Sequence, residues 1–157
     1  MEAVFETERL IGVVLEDRFL SDMMTFWGDE EVMEHCNGAT SVDVLPQVIE
    51  AYQACHKKYG LSVYGLCEKN SGEVIGAAGF NITADLQEIE LIYHFNKQSW
   101  GKGYATEAAA ASVELAKKHG QVERIVASAS PANAQSLKIL EKIGFDYKGL
   151  KWFEDTE

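Results

Sequence analysis

Two glycines one residue apart, Gly101 and Gly103, stand in the phrase Gln98-Ser99-Trp100-Gly101-Lys102-Gly103-Tyr104-Ala105. Glycine lets a backbone turn tightly and come close to a ligand. The residues that follow favour a helix. A helix start offers N–H groups without internal partners, and its dipole favours negative charge there. The combination predicts a phosphate or pyrophosphate at residues 100–105. A glycine turn that merely joins a strand to a helix is the other reading of the same residues. Two nucleotide motifs fail. A Walker A loop needs GxxxxGK[ST], but Gly103 follows Lys102, so the Mg²⁺-binding hydroxyl is misplaced. A Rossmann fingerprint needs GxGxxG, but Thr106 stands at the third small position.

Such a loop needs a rigid strand before it and a helix after it. EIELIYHFN (88–96) reads as the strand. YATEAAAASVELAKKHG is dominated by Ala, Glu, Leu and Lys and predicts a helix that Gly120 closes. Earlier, RLIGVVLE (9–16) reads as a strand. Residues 17–35 read as helix, with Asp17 as cap and Phe19, Leu20, Met23, Met24 and Trp27 near helical spacing. Gly28 marks a break, after which DEEVMEH (29–35) reads as a second short helix. CNGATS (36–41) is a loop. Residues 43–59 read as helix, with Leu45, Val48, Ile49, Tyr52 and Cys55 on one face. LSVYGLCE (61–68) and EVIGAAGFNI (73–82) are strands joined by the turn KNSG. RIVASAS (124–130) reads as a strand, NAQSLKILEKIG (133–144) as a helix and FDYKGLKWF (145–153) as one final strand. Three successive strands suit antiparallel pairing, and the later strand–helix–strand units favour parallel pairing. The fold class is α+β, a mixed sheet with helices on both faces. No linker or repeat interrupts the chain, so 1–157 reads as a single domain.

Composition limits the partners. The net charge of −11 speaks against nonspecific nucleic-acid binding, which needs excess Lys and Arg. No apolar run approaches the roughly 18 residues of a membrane helix, and the start lacks a signal-peptide pattern. Three cysteines (Cys36, Cys55, Cys67) without a CxxC pair read as reduced thiols in a cytoplasmic protein, with no zinc site and no disulfide framework. The charge is uneven: residues 1–60 hold 12 acids and 4 bases, and residues 96–151 hold 5 acids and 9 bases. Ordinary surface solvation accounts for this. So does an acidic region for a cationic substrate beside a basic one for phosphates.

Gln98-x-x-Gly101-x-Gly103 matches the [R/Q]xxGx[G/A] signature, and the chain resembles the GNAT superfamily of acyl-CoA-dependent N-acetyltransferases. WGKGYATEA (100–108) resembles the RimJ/RimL branch, related to ribosomal-protein N-terminal acetyltransferases. TERL (7–10), DEEVMEH (29–35) and NAQSLKILEKIGF (133–145) resemble further segments of that branch, in the right order. The resemblance implies a central mixed, mostly antiparallel sheet, splayed between the family's fourth and fifth strands, here 88–96 and 124–130. The pantetheine arm of acetyl-CoA would lie in the splay, on backbone groups near Phe95 and Asn96. The N–H groups of Trp100, Gly101, Gly103, Tyr104 and Ala105 would bind the pyrophosphate, with Lys102 adding charge. Asn133 would bond the pantetheine or the thioester region. Lys138 and Lys142 either approach the adenosine phosphate or are simply solvated.

The implied reaction is direct acetyl transfer to a primary amine, without a metal and without a covalent enzyme intermediate. The amine must lose a proton, the oxyanion needs a donor and the leaving thiolate needs a proton or hydrogen bond. Glu90, acting through water, is the first candidate base. Glu88 and His94 share its strand face, and an ordinary histidine pKa suits proton relay near neutrality. Many family members carry an acidic tyrosine seven positions after the asparagine, where this chain has Leu140. Ser136 is the remaining local hydroxyl, either bonding the leaving sulfur or only shaping the helix start. The acceptor pocket falls among residues 26–41, Tyr64 and the 88–94 face, with Trp27, Met33 and His35 as lining. Cys36 lies in the same loop. Asp29, Glu30, Glu31 and Glu34 would draw an amine, either a protein N-terminus or a small amine such as a polyamine. A non-catalytic acyl-CoA-binding module is the alternative function. Two departures stand out. The branch usually shows an arginine where this chain reads Gly12-Val13-Val14, and no seventh strand is evident. An open sheet edge would then invite a homodimer.

Overall fold

A computed structural model describes residues 2–36, 38–128, 134–148 and 151–155. Its strands are β1 (Ala3–Glu6), β2 (Leu10–Val13), β3 (Val63–Glu68), β4 (Val74–Asn81), β5 (Glu88–Phe95), β6 (Arg124–Ser128), β7 (Asp146–Lys148) and β8 (Lys151–Asp155). Its helices are α1 (Leu20–Met23), α2 (Leu45–Tyr59), α3 (Tyr104–His119) and α4 (Ala134–Lys142), with short 3-10 turns at Asp17–Phe19 and Lys97–Ser99. The strands form one sheet in the order β1-β2-β3-β4-β5-β6-β8-β7. All its pairings are antiparallel except β5 with β6.

The middle of this sheet is covered on both faces, so β3 and β4 are almost continuously buried rather than alternating. On one face α3 and α4 pack Ala109, Val113, Ala116, Ile139 and Leu140 onto Phe80, Ile89, Leu91 and Ile125. On the other, Met23, Phe26, Trp27, Leu45 and Ile49 pack onto Val13, Val63, Val74 and Ala77. Helix α2 begins with Pro46 in its first turn, where a missing N–H costs nothing. Among the described residues no helix is long and apolar enough to cross a membrane.

Three expectations are corrected. The helix expected over 17–35 ends after one α-turn. Thr25 Oγ1 donates to the Asp22 carbonyl (2.5 Å), competing with helix propagation. The acidic segment is a series of turns rather than a helix. Asp29 Oδ1 accepts from the N–H groups of Glu31 (2.8 Å) and Val32 (3.1 Å). The single final strand is a hairpin: β7 pairs with β8, and β8 pairs with β6. The chain thus completes the sheet itself, and the open-edge argument for a homodimer loses its basis. The sequence reading also passed over β1. TERL is the turn joining β1 to β2, with the Thr7 N–H donating to the Leu10 carbonyl (2.8 Å).

Candidate functional site

The parallel ladder between β5 and β6 has only three registered pairs, Glu88–Arg124, Ile89–Ile125 and Glu90–Val126. β5 continues five residues further along β4, reaching Phe95 opposite Gly76. The sheet therefore opens into a cleft after Glu90. The Asn96 N–H donates to the Ile75 carbonyl (2.9 Å), so by antiparallel alternation the amides of Tyr93 and Phe95 point away from β4, into the opening. The Phe95 carbonyl already accepts from Trp100 Nε1 (2.9 Å). Asn96 itself is fully committed. Its carbonyl accepts from the Ser99 N–H, its Oδ1 accepts from Ser99 Oγ (2.6 Å), and its Nδ2 donates to Thr25 Oγ1 (3.4 Å). Asn96 holds the end of the strand; among the described residues the N–H groups of Tyr93 and Phe95 have no partner and face the opening.

The glycine loop closes the same cleft. Gly101 (φ +77°) and Gly103 (φ +82°) adopt the left-handed conformation, and α3 starts at Tyr104 with Gly103 as its N-cap. The first-turn N–H groups of Tyr104, Ala105 and Thr106 have no partners within the helix. The Trp100 N–H, by contrast, donates to the Lys97 carbonyl (3.2 Å), which removes it from the expected anion site. Lys102 is exposed, and its carbonyl accepts from Arg9 Nη1 (2.8 Å).

That arginine belongs to a clamp. Arg9 Nε donates to Glu107 Oε1 (2.8 Å), and Arg9 Nη2 lies 2.8 Å from the same oxygen. Glu107 Oε2 accepts from Thr7 Oγ1 (2.5 Å) and from the Arg9 N–H (3.0 Å). Burial alone would raise the Glu107 carboxyl, but the hydrogen bonds from Thr7 and Arg9 outweigh it and leave the group below its usual range. The guanidinium also stacks 4.2 Å over the Tyr104 ring, whose hydroxyl donates to Glu68. The turn before β2 thus fixes both the loop and the first turn of α3.

At the other end of the cleft Glu90 Oε1 accepts from Asn81 Nδ2 (3.4 Å), and Asn81 Oδ1 accepts from the Tyr52 hydroxyl (2.9 Å). The Trp27 indole N–H donates to His94 Nδ1 (3.1 Å), which leaves the neutral ring's proton on Nε2, 3.3 Å from Cys36 Sγ. Burial pushes His94 down to about 4, so the ring is neutral at pH 7, with Nδ1 occupied as acceptor and its single proton on Nε2. Burial first, and then the Glu90 charge, raise the Cys36 thiol, which keeps it protonated and a poor nucleophile. Between the two ends the Tyr93 hydroxyl meets Ser136 Oγ at 2.7 Å, tying β5 to α4 across the splay. The whole cleft is about 800 Å³.

A splayed sheet with free amides, opening onto a glycine loop at a helix start, suits an extended pantetheine ending in a pyrophosphate. Residues 9–146 match the Acetyltransferase (GNAT) domain family. The chain belongs to the GNAT acetyltransferase family. The protein YkkB of Bacillus subtilis (strain 168), which is uncharacterized, is 30% identical over 148 residues, covering 90% of this chain and 84% of that protein. The [Ribosomal protein uS5]-alanine N-acetyltransferase of Escherichia coli (strain K12) is 28% identical over 96 residues, 60% of this chain and 50% of that protein. The crystal structure of a GNAT-family acetyltransferase from Bacillus anthracis superposes with a TM-score of 0.84, covering 99% of both chains at 20% identity, which shows the shared fold.

The GNAT enzyme is an acetyl-CoA-dependent acetyltransferase. Of its expected site residues, Glu90, His94, Phe95, Trp100, Gly101, Gly103, Tyr104, Ala105 and Ser136 all line one cleft. Gln98 and Lys102 are exposed on its rim side and outside the lining. Asn133 lies outside the described residues. Glu88 is exposed beyond the lining. Trp27, Met33 and His35 line the cleft as expected, but Tyr64 does not. It is buried, and its hydroxyl lies 2.7 Å from His56 Nδ1. The acidic turn is partly neutralised: Lys97 Nζ lies 3.5 Å from Asp29 and 3.8 Å from Glu31, while Glu31 and Glu34 line the cleft. Arg9, Thr7, Glu107, Asn81, Tyr52 and Tyr93 were not singled out from the sequence. Tyr93 was the most accessible signal, a tyrosine in the strand that leads into the loop.

Proposed function

We propose that the protein transfers an acetyl group from acetyl-CoA to a primary amine by direct attack in a ternary complex. The observation that carries this is the early end of the β5–β6 ladder beside the helix-start anion site. The amides of Tyr93 and Phe95 would hold the pantetheine as an added strand. The N–H groups of Gly101, Gly103, Tyr104 and Ala105 would hold the pyrophosphate. Glu90, oriented by Asn81 and through it by Tyr52, takes the amine proton through water. Glu31, Glu34 and Glu90 give the acceptor end a negative lining that suits an amine-bearing substrate, either a protein N-terminus or a small amine. The free thiols of Cys36, Cys55 and Cys67 fit a reducing, cytoplasmic setting.

Leu140, at the position of the acidic tyrosine found in many relatives, is buried in the core. This favours one second reading, a module that binds acyl-CoA without turning it over. One titration separates them. Acetyl-CoA is titrated calorimetrically, an amine panel is added, and thiol release is followed. Binding with thiol release supports the transferase. Binding without it with any amine supports the module, and no binding removes both.

A further inference from the structure

The leaving thiolate needs a proton, and the helix that commonly supplies one carries Leu140. Among the described residues three phenols line the cleft: Tyr52, Tyr93 and Tyr104. Two have their hydrogens committed, Tyr52 to Asn81 Oδ1 and Tyr104 to Glu68. The third, Tyr93, shares a 2.7 Å contact with Ser136 Oγ in which either oxygen can donate, and its other acceptor, the Ser136 carbonyl, is a long 3.4 Å away. Tyr93 lies three residues beyond the last β5–β6 pair and meets α4 at Ser136. Its own backbone faces the opening that the pantetheine would fill.

Resting on the transferase reading above, we infer that Tyr93, from β5, is the proton donor to the departing thiolate, and that Ser136 is the positioning residue that aims its hydroxyl. Acidity decides between the two oxygens. A phenol at about 10 lies close to a thiol at about 8.5, whereas an aliphatic hydroxyl is a far weaker acid. Burial raises Tyr93 further, so the phenol stays protonated and able to donate at neutral pH.

The step balances as follows. The amine lone pair forms the C–N bond, and the C–S bonding pair leaves on sulfur. Sulfur takes the Tyr93 Oη proton. The phenolate is reprotonated across Ser136 Oγ, and the nitrogen gives up one proton toward Glu90 and solvent. The products are the amide and the free thiol.

The test compares wild type, Tyr93→Phe and Ser136→Ala with the best amine, using acetyl-CoA and its selenoester analogue. A selenolate is a better leaving group and needs no proton to depart. Tyr93→Phe should lower kcat on the thioester by about 10²-fold or more, with acetyl-CoA affinity unchanged and a much smaller loss on the selenoester. Ser136→Ala should lose less than Tyr93→Phe. Wild-type kcat in Tyr93→Phe overturns the inference while leaving the transferase reading intact. So do equal losses on both donors, or a larger loss in Ser136→Ala. Absence of thiol release by the wild type with every amine overturns both. If Tyr93→Phe does not melt cooperatively, Tyr93→Met serves as the second variant lacking the hydroxyl, with the same readings.

Discussion

Arg9 and Glu107 lie 98 residues apart and meet through both guanidinium and backbone, with Nε and Nη2 each 2.8 Å from Glu107 Oε1. The pair joins the β1–β2 turn to the first turn of α3. Through Arg9 Nη1 and the Lys102 carbonyl it also sets the path of the glycine loop. A planar fork makes three directed contacts here that an ammonium cannot reproduce. Arg9→Ala should therefore weaken acetyl-CoA binding by about tenfold, the equivalent of one charge-assisted hydrogen bond's worth of order in the loop, and Arg9→Lys should not restore it. Calorimetric titration of both variants checks this; full affinity in either would remove the clamp from the binding site.

At Gly103 the constraint is conformational and steric toward the ligand. With φ at +82°, any other residue is strained, and an added Cβ would meet only Arg9 Nη2, at 3.5 Å. The space a side chain would occupy is otherwise the one proposed above for the pyrophosphate. Gly103→Ala should cost about 1–2 kcal/mol of stability, from forcing a left-handed conformation. Gly103→Glu should abolish acetyl-CoA binding while the protein remains folded. Thermal melts alongside titrations separate the two effects, and unchanged affinity in a folded Gly103→Glu protein would defeat the loop assignment.

Glu90 is held by Asn81, and Asn81 by Tyr52. Glu90→Gln should lower kcat by about 10²-fold, the usual worth of a general base, with acetyl-CoA affinity kept. Asn81→Ala should lower it less, because the carboxylate remains but is no longer oriented. Steady-state rates for the two variants give the order; an Asn81 effect larger than that of Glu90 would make Asn81 the more important group.

His94 links the cleft to acid stability. Burial pushes it down to about 4, against 6.5 for an exposed ring. Between those values the unfolded chain binds a proton that the folded protein refuses, so stability rises with pH across this window and falls as pH drops from about 6.5 to about 4. At most about 3 kcal/mol is involved. His94→Gln keeps an acceptor for the Trp27 indole but does not titrate. Denaturant melts at pH 7.5 and pH 5 should show the wild type losing more stability than this variant; equal losses would mean that His94 is not held neutral by burial.

The sequence made some of this legible and hid the rest, for reasons of distance. The glycine loop, α3 and the β5 strand were readable because each is specified by neighbours: glycine spacing, helix formers, apolar alternation. The helix expected over 17–35 failed because Thr25 and Asp29 satisfy backbone groups locally, a choice that apolar spacing does not reveal. The final hairpin does not show in the sequence because the apolar and aromatic residues of 145–153 suit one continuous strand as well as two short ones. The partnerships Arg9–Glu107, Trp27–His94 and Tyr93–Ser136 join elements far apart in the chain, and no local pattern announces them. His94 shows the limit most clearly. Its strand face was right, but its ionisation depends on burial beneath an indole from another segment.

The early end of the β5–β6 ladder gives the substrate a share in folding. The amides of Tyr93 and Phe95, which no described residue engages, and the first-turn N–H groups of α3 would gain partners from a donor bound as proposed above. A ligand that binds only the folded chain adds RT ln(1 + [L]/Kd) to its stability. In a cell the lifetime of this protein against unfolding and proteolysis would then rise and fall with the supply of acetyl-CoA.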